Sequence, residues 1–420
     1  MYVFLEALMV LSFAGGVALP TRTDALKNSL LLQKVPQVML PLGDAEEAYT
    51  LTVCEGEEVP VGGLVAKLGD GTPIYSSIPG VVTGVFEKDG MHYLSVERTE
   101  KEADLSPLPA REPESKRLEE LTAEELLESI KTLGVLDLWS GDWLWRRLAP
   151  LVGKIRRVVV DTTDDSGWSF TEYRSSLRHP GEILGGIKVL LHLLGGSKAV
   201  LVVDNNRPKI KEAFSTMIND PALIVMAETE VKYPIRDETL YEALYIRHLK
   251  KGSTADSEGV LFLKAQTASQ LYTSLLTGIP QLTRTVTACG EGFGKNAVLD
   301  IPMGTPWKTV LEAALFKGGA YRTMVNSPLH GKQAEGAMDG RAEAVFASLP
   351  LTKKPSHCIS CGRCAEVCPM RLTPYKSLTQ HSYLSAKRLA AVCMDCGCCE
   401  YVCPANIPLR EHIARHRNTK

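Results

Sequence analysis

Nine of the chain's eleven cysteines fall between Cys358 and Cys403, and their spacing repeats. Cys358-x2-Cys361-x2-Cys364-x3-Cys368-Pro369 is followed by Cys393-x2-Cys396-x2-Cys399-x3-Cys403-Pro404. Three thiolates at two-residue gaps wrap three corners of an iron–sulfur cubane within one short loop, and the fourth cysteine of each run reaches the other cluster. The spacing therefore predicts two [4Fe-4S] clusters. Cys358, Cys361, Cys364 and Cys403 would hold one; Cys393, Cys396, Cys399 and Cys368 would hold the other. Zinc is the competing reading of CxxC pairs, but zinc modules carry two separated pairs, not two complete runs closed by Cys-Pro. Cys398 falls outside the ligand spacing, and His357 precedes a ligand set that four cysteines already complete. Cys54 and Cys289 read as small buried residues.

The elements that must position these thiolates occupy a long chain. At 420 residues there is room for two to four domains. Hydrophobic residues make up 45% and charged residues 23%, with 47 basic against 49 acidic side chains, so the totals offer nothing for nucleic acid or a polyanionic substrate. Clustered thiolates that must stay reduced predict a cytoplasmic location. Residues 1–20 are apolar, yet they lack a basic start and a small-residue cleavage site and carry Glu6. They read as a packed N-terminal segment or an upstream start, not an export signal or a direct membrane span.

Residues 1–37 form that N-terminal segment, and 38–97 read as all-β, with short apolar runs punctuated by Gly and Pro. Within them, residues 55–66 and 77–85 form two half-motifs that resemble the barrel-sandwich fold of biotinyl and lipoyl carriers. Such carriers need a lysine at the hairpin tip; here the tip is Gly69-Asp70-Gly71-Thr72-Pro73, and Lys67 comes too early. The module reads as structural. A charged, proline-punctuated stretch, 98–119, reads as a linker. Thr122 with Glu125 forms a capping box ahead of a helix. Apolar runs at 157–161, 199–204 and 223–227, with a helical period over 183–194, place an α/β domain at 120–254. A smaller α+β unit follows at 255–345, with strands at 260–263, 285–288 and 297–301, and helices through Leu271 and from 306 to 316. Gly290-Glu291-Gly292-Phe293-Gly294-Lys295 mimics a phosphate loop, but a strand follows it and not a helix, so a hairpin turn is expected. The cysteine-rich part occupies 350–420.

This order of modules resembles the C subunit of the Rnf ion-pumping electron-transfer complex, and the electron-transfer protein associated with D-proline reductase is similar. The likeness rests on Phe13-Ala14-Gly15-Gly16-Val17-Ala18-Leu19-Pro20, Asp204-Asn205-Asn206-Arg207-Pro208, Lys232-Tyr233-Pro234 and Pro302-Met303-Gly304-Thr305-Pro306. It implies a multidomain α/β plus α+β chain. The modules would be an N-terminal β barrel-sandwich, a Rossmann-like flavoprotein-type α/β domain akin to the flavin-carrying subunit of complex I, a β-grasp-like (SLBB-type) unit and a C-terminal dicluster ferredoxin-like domain.

Relatives of this kind bind FMN, and some NADH, through a glycine-rich loop. Here the matching segment, 134–145, has lost most of its glycines and gained Trp139, Trp143, Trp145 and the carboxylates Asp137 and Asp142. Residues 161–167 keep only the acidic character of the next motif, and Ile235-Arg236-Asp237-Glu238 replaces a glycine-containing stretch. Backbone amides must approach a phosphate closely, so three altered parts of one pocket predict loss of the FMN/NADH site. No FMN- or NAD-binding residue is predicted; the indoles either help to fill the vacated space or are ordinary core aromatics. No catalytic constellation is visible.

The function expected is a relay of single electrons through two [4Fe-4S] clusters, as a subunit of an Rnf-like or reductase-associated complex. Its partners would be a ferredoxin, a flavoprotein or membrane-complex subunits, with peripheral attachment to the inner face of the membrane through them. Two alternatives stand beside it: an oxidoreductase subunit that still binds FMN and feeds the clusters, and a structural subunit whose clusters staple the fold.

Overall fold

The computed structural model describes residues 10–416 apart from 33, 45, 100–117, 236, 247–252, 351–353 and 379–382. Most of the expected linker, residues 1–9 of the apolar start, and Arg236 lie outside the described residues.

Two antiparallel sheets enclose the first core. One has the order Gln37–Asp44, Met91–Glu97, Gly80–Lys88, Glu58–Val59; the other has the order Tyr49–Leu51, Leu64–Leu68, Pro73–Tyr75. Alternate residues Val38, Leu40 and Leu42 turn inward onto Val65, Ile74, Val82 and Leu94, as the two-residue period of a strand requires. Lys67 is exposed on its strand, while the hairpin tip is held by other groups. The Asp70 carboxylate accepts from the Thr72 amide at 2.9 Å and from its hydroxyl at 2.6 Å. From the next module, Arg146 donates to Asp70 at 2.7 Å and Trp145 to Thr72 at 2.9 Å.

The second sheet system is wholly parallel, in the order Ile224–Thr229, Lys198–Asp204, Arg157–Asp161, Val260–Lys264. Helices Ala123–Thr132, Pro180–Leu194 and Ala265–Thr277 cover one face through Leu126, Ile130, Ile187, Leu190 and Leu271. Trp139, Tyr241, Tyr245 and Phe262 fill the other. The capping box forms as expected: the Thr122 side chain accepts from the Glu125 amide, and Glu125 accepts from the Thr122 amide. One expectation is corrected. Val260–Lys264, assigned from sequence to the smaller unit, is the fourth parallel strand, with Val260 opposite Arg157. All five of its residues are buried, as a parallel strand covered on both faces must be.

The third sheet is mixed: Ser29–Leu31, Ala297–Pro302, Thr283–Gly290, Ala344–Ser348, Arg322–Val325. Thr283–Gly290 and Ala297–Pro302 pair antiparallel, so the glycine-rich run between them is a hairpin turn. The edge strand Ser29–Leu31 comes from the N-terminal segment and pairs parallel with Ala297–Pro302 across most of the sequence. Helix Trp307–Ala313 packs on this sheet through Trp307 and Val310. The cysteine-rich part is built from the short helices Arg363–Glu366, Tyr383–Val392, Cys398–Tyr401 and Leu409–Arg415. Among the described residues, no helix is long and apolar enough to cross a membrane.

Candidate iron–sulfur centre

The two cysteine runs fold as copies of one loop. Ser360, Gly362 and Arg371 take left-handed φ values of 55°, 79° and 52°; Asp395, Gly397 and Asn406 take 62°, 82° and 51° at the equivalent positions of the second run. These left-handed turns curl each run back on itself, so that its first three thiols face one point. Each loop then enters a four-residue helix, Arg363–Glu366 or Cys398–Tyr401, which carries its third cysteine inward.

Two small cavities result. Cys358, Cys361, Cys364 and Cys403 line the first, together with Tyr375, Ile407 and Leu409. Cys368, Cys393, Cys396 and Cys399 line the second, together with Leu372 and Ile413. Four thiols of the expected set face each cavity, in walls that are apolar apart from Ser360 at the first and Cys398, Asp395 and Arg410 at the second. That is the chemistry a cubane needs: soft anionic ligands, with water kept away. Burial pushes the thiols of Cys364, Cys368 and Cys399 up, so bound iron must displace their protons. The Asp395 amide donates to Cys393 Sγ at 3.4 Å.

The surroundings of the two cavities differ. Cys358 and Cys361 are exposed, and Ile359 between them is 67% exposed. The second set lies beneath the α/β domain. Tyr233 reaches it: its hydroxyl donates to the Cys396 carbonyl at 2.7 Å and lies 2.7 Å from Ser327 Oγ. The Gly16 amide donates to the Val367 carbonyl at 2.9 Å. A Cβ on Gly15, whose φ is +72°, would come within 2.7 Å of the Cys368 carbonyl group. Only glycine tolerates both that φ and that approach. Cys398 is fully buried and touches the second cavity, and its thiol donates to the Tyr233 carbonyl at 3.8 Å. Cys289 is buried as expected. Cys54 is exposed, because it sits in the turn after Tyr49–Leu51, where no second layer covers it.

A larger cavity of about 330 Å³ opens at the carboxyl ends of the parallel strands, the usual ligand position in such sheets. Met394, Asp395 and Cys396 form one wall, so it adjoins the second thiol set. Trp139 lines it, stacked on Phe262 at 5.5 Å with Lys264 Nζ 4.8 Å from the ring. Trp143 and Trp145 do not reach it. Trp143, which precedes the helix Leu144–Leu148, packs against the N-terminal β core, and Trp145 in that helix donates to Thr72 while packing on the α/β core through its ring. Of the three indoles, only Trp139 occupies the place proposed for all.

The segment matching the glycine-rich loop binds its own carboxylate. Asp137 accepts from the amides of Trp139 at 3.0 Å and Ser140 at 3.2 Å, while the Leu138 amide donates to Thr267 Oγ1. Asp137 is fully buried and neutralised by Arg147 at 2.8 Å. The cavity wall holds Asp165, Asp237, Glu238, Glu343 and Asp395 against Lys264, Arg341 and His330. Lys264 is spent on Asp161 at 3.2 Å, and Arg341 on Glu238 at 3.0 Å. A phosphate would have to displace Asp137 from the amides and face these acids, so the residues present do not fit a flavin phosphate.

Residues 357–407 match the 4Fe-4S dicluster domain family. The chain is 25% identical over 386 residues to the C subunit of the proton-translocating ferredoxin:NAD(+) oxidoreductase complex of Clostridium ljungdahlii, covering 87% of this chain and 83% of that one. It is 24% identical over 381 residues to the C subunit of the Na(+)-translocating ferredoxin:NAD(+) oxidoreductase complex of Acetobacterium woodii, covering 86% of each. The likeness to the C subunit of Rnf complexes read from the sequence is borne out over most of the chain. A chain of the NAD+-reducing [NiFe]-hydrogenase aligns with a TM-score of 0.45 and 13% identity, over 64% of this chain and 54% of that one, a likeness too partial to define the fold.

Proposed function

We propose that the chain is an electron-transfer subunit of an Rnf-like complex, relaying single electrons through two [4Fe-4S] clusters. The observation that carries this reading is the pair of cavities lined by the two expected thiol sets, in one small domain, one with Cys358 and Cys361 exposed and the other with none of its four thiols exposed. When bound, the clusters supply one-electron chemistry. The protein's part is to hold them: Cys358, Cys361, Cys364 and Cys403 as one ligand set, Cys393, Cys396, Cys399 and Cys368 as the other. Apolar side chains such as Tyr375, Ile407 and Leu409 at the first site and Leu372 and Ile413 at the second limit water, and Tyr233 with Gly15 and Gly16 ties the inner set to the rest of the chain.

In this reading the antiparallel strands of 38–97 form a barrel sandwich with no carrier arm, and its tip serves as a buttress for the α/β domain. That domain extends through the helix Ala265–Thr277, and the β-grasp-like unit begins near Thr283. The amides of the segment that matches the glycine-rich loop are taken by Asp137, so no flavin phosphate is expected there. Since relatives are named as subunits of ion-translocating ferredoxin:NAD(+) oxidoreductase complexes, other subunits of such a complex are the partners, and attachment to the membrane's inner face is through them.

One observation favours a second reading, in which FMN is retained: the 330 Å³ cavity still adjoins Cys396. Analysis of anaerobically prepared protein separates the two. The relay predicts about eight iron and eight sulfide per chain with no flavin, and EPR signals that dithionite raises and air removes. Stoichiometric flavin in the visible spectrum would establish the second reading instead.

A further inference from the structure

The two thiol sets stand in different electrical surroundings. The wall of the outer set, Cys358, Cys361, Cys364 and Cys403, carries no charged side chain, and Cys358 and Cys361 are exposed to solvent. None of the four thiols of the inner set is exposed, and the two charged groups in its wall, Asp395 and Arg410, offset each other at 2.9 Å. The 330 Å³ cavity shares Met394, Asp395 and Cys396 with the inner set and no residue with the outer. Among the described residues, its wall holds the carboxylates Asp165, Asp237, Glu238, Glu343 and Asp395. Lys264 is divided between Asp161 at 3.2 Å and Glu343 at 4.0 Å, and Arg341 is bound to Glu238 at 3.0 Å. With Asp161 counted, six carboxylates stand against Lys264, Arg341 and Arg410, and a protonated His330 would not close the gap. Two of the six border the cavity from deep inside the fold: Asp165 is 8% exposed and Glu343 5%.

We propose that Asp165 and Glu343 are positioning residues for the electron: their buried charges keep the inner site at the lower reduction potential of the two, so that an electron held by the chain rests at the outer, exposed site. The inference rests on the relay reading above. Reduction adds one negative charge to a site that already carries the charge of its thiolates. Water around Cys358 and Cys361 stabilises the added charge at the outer set. At the inner set, carboxylates held out of bulk water oppose it, and little solvent screens them. The ligands' own negative charge is common to the two sites and cancels in the comparison. The Asp395 amide, which donates to Cys393 Sγ at 3.4 Å, works the other way, but one neutral dipole counts for less than a surplus of full charges. In the transfer, one electron leaves the inner site as one arrives at the outer, with no bond made and no proton moved.

The test is an EPR-monitored redox titration of anaerobic full-length protein with its clusters. Two waves are expected, separated by about tenfold or more in electron occupancy, which is about 59 mV for a one-electron couple. Cys403→Ser removes the outer site, so the wave that survives belongs to the inner one, and it should be the lower. Cys361→Ser removes the same site and serves if the first variant folds poorly. Asp165→Asn and Glu343→Gln keep the shape of the side chains. Each should raise the lower wave and leave the upper wave and the iron content unchanged. Glu55→Gln, at an exposed carboxylate of the β module, should move neither wave. A merely structural role would show as lost iron, not as a shift of one potential at constant iron. Should both cavity variants lose iron, the order of the two waves decides alone. Survival of the upper wave, coincident waves, or cavity substitutions that move both waves equally or neither overturn the proposal. Protein with no reducible clusters would instead overturn the relay reading, and this one with it.

Discussion

The hydroxyl of Tyr233, in the α/β part of the chain, donates a 2.7 Å hydrogen bond to the backbone carbonyl of Cys396, in the inner cysteine loop. Tyr233 is 3% exposed, and burial pushes its phenol well above the ordinary range, so it stays a donor at any working pH. Tyr233→Phe removes this bond and the one with Ser327 while keeping the ring. A loss of about 1–2 kcal/mol in the docking of the cysteine-rich domain is expected. Iron release to a chelator, followed by absorbance, should speed up for half of the iron and stay unchanged for the other half.

The crossed ligand sets make opposite predictions from a reading in which each run holds its own cluster. Cys403→Ser should perturb the site of Cys358, Cys361 and Cys364, though it lies in the second run. Iron should fall from about eight to about four per chain. Pairing it with Cys361→Ser should cost no further iron, whereas pairing it with Cys396→Ser should remove the rest. Cys398→Ala should retain all of it. Iron assay and EPR of the four proteins check the scheme.

Gly15 separates a backbone effect from a contact effect. Gly15→Ala adds a Cβ within 2.7 Å of Cys368 at φ +72°, whereas Gly56→Ala adds one at φ +86° with nothing within 4 Å. The second variant should cost about 1–2 kcal/mol, the left-handed penalty alone. The first should cost more and should also loosen iron at the inner set, which chemical denaturation and chelator kinetics would each register.

Arg146 joins the β module to the α/β domain by binding Asp70 at 2.7 Å, Asp142 at 3.2 Å and Glu47. Burial would raise the Asp70 pKa, but the hydrogen bonds from Arg146 and Thr72 outweigh it and hold it below 3.8. A carboxylate depressed in the fold stabilises fully above its unfolded pKa and loses that contribution as pH falls through the folded value. Arg146→Ala should therefore destabilise by about 1–2 kcal/mol near neutral pH, the size expected for partly exposed charged hydrogen bonds. The difference from the unaltered protein should shrink below about pH 4, as urea titrations across pH would reveal.

Local chemistry made parts of this molecule legible before any coordinates. Ligand spacing within a run is a property of a dozen consecutive residues, so three thiols of each expected set could be read directly, while the fourth comes from the other run. The Thr122–Glu125 capping box and the 290–295 hairpin are equally local, spanning four and six residues. The equivalence of the two loops was also present in the sequence, as a duplication offset by the same interval at Ser360 and Asp395, Gly362 and Gly397, and Arg371 and Asn406.

Other features had no local signature. An apolar run such as 260–264 looks the same at the end of a parallel sheet as at the start of a new unit; only its pairing with Arg157–Asp161 decides. Three tryptophans within seven residues gave no hint that Trp139 would face the cavity and the other two the β module, since that depends on where the chain turns into the helix Leu144–Leu148. Phe13 to Pro20 and Lys232-Tyr233-Pro234 could be matched to a family, but not to a task. The cysteine spacing determined by itself which three thiols of each run can face one cluster, because that geometry closes within a short loop. Which set packs against Tyr233 and Gly15, and which has exposed thiols beside Ile359, was decided by tertiary packing between segments hundreds of residues apart.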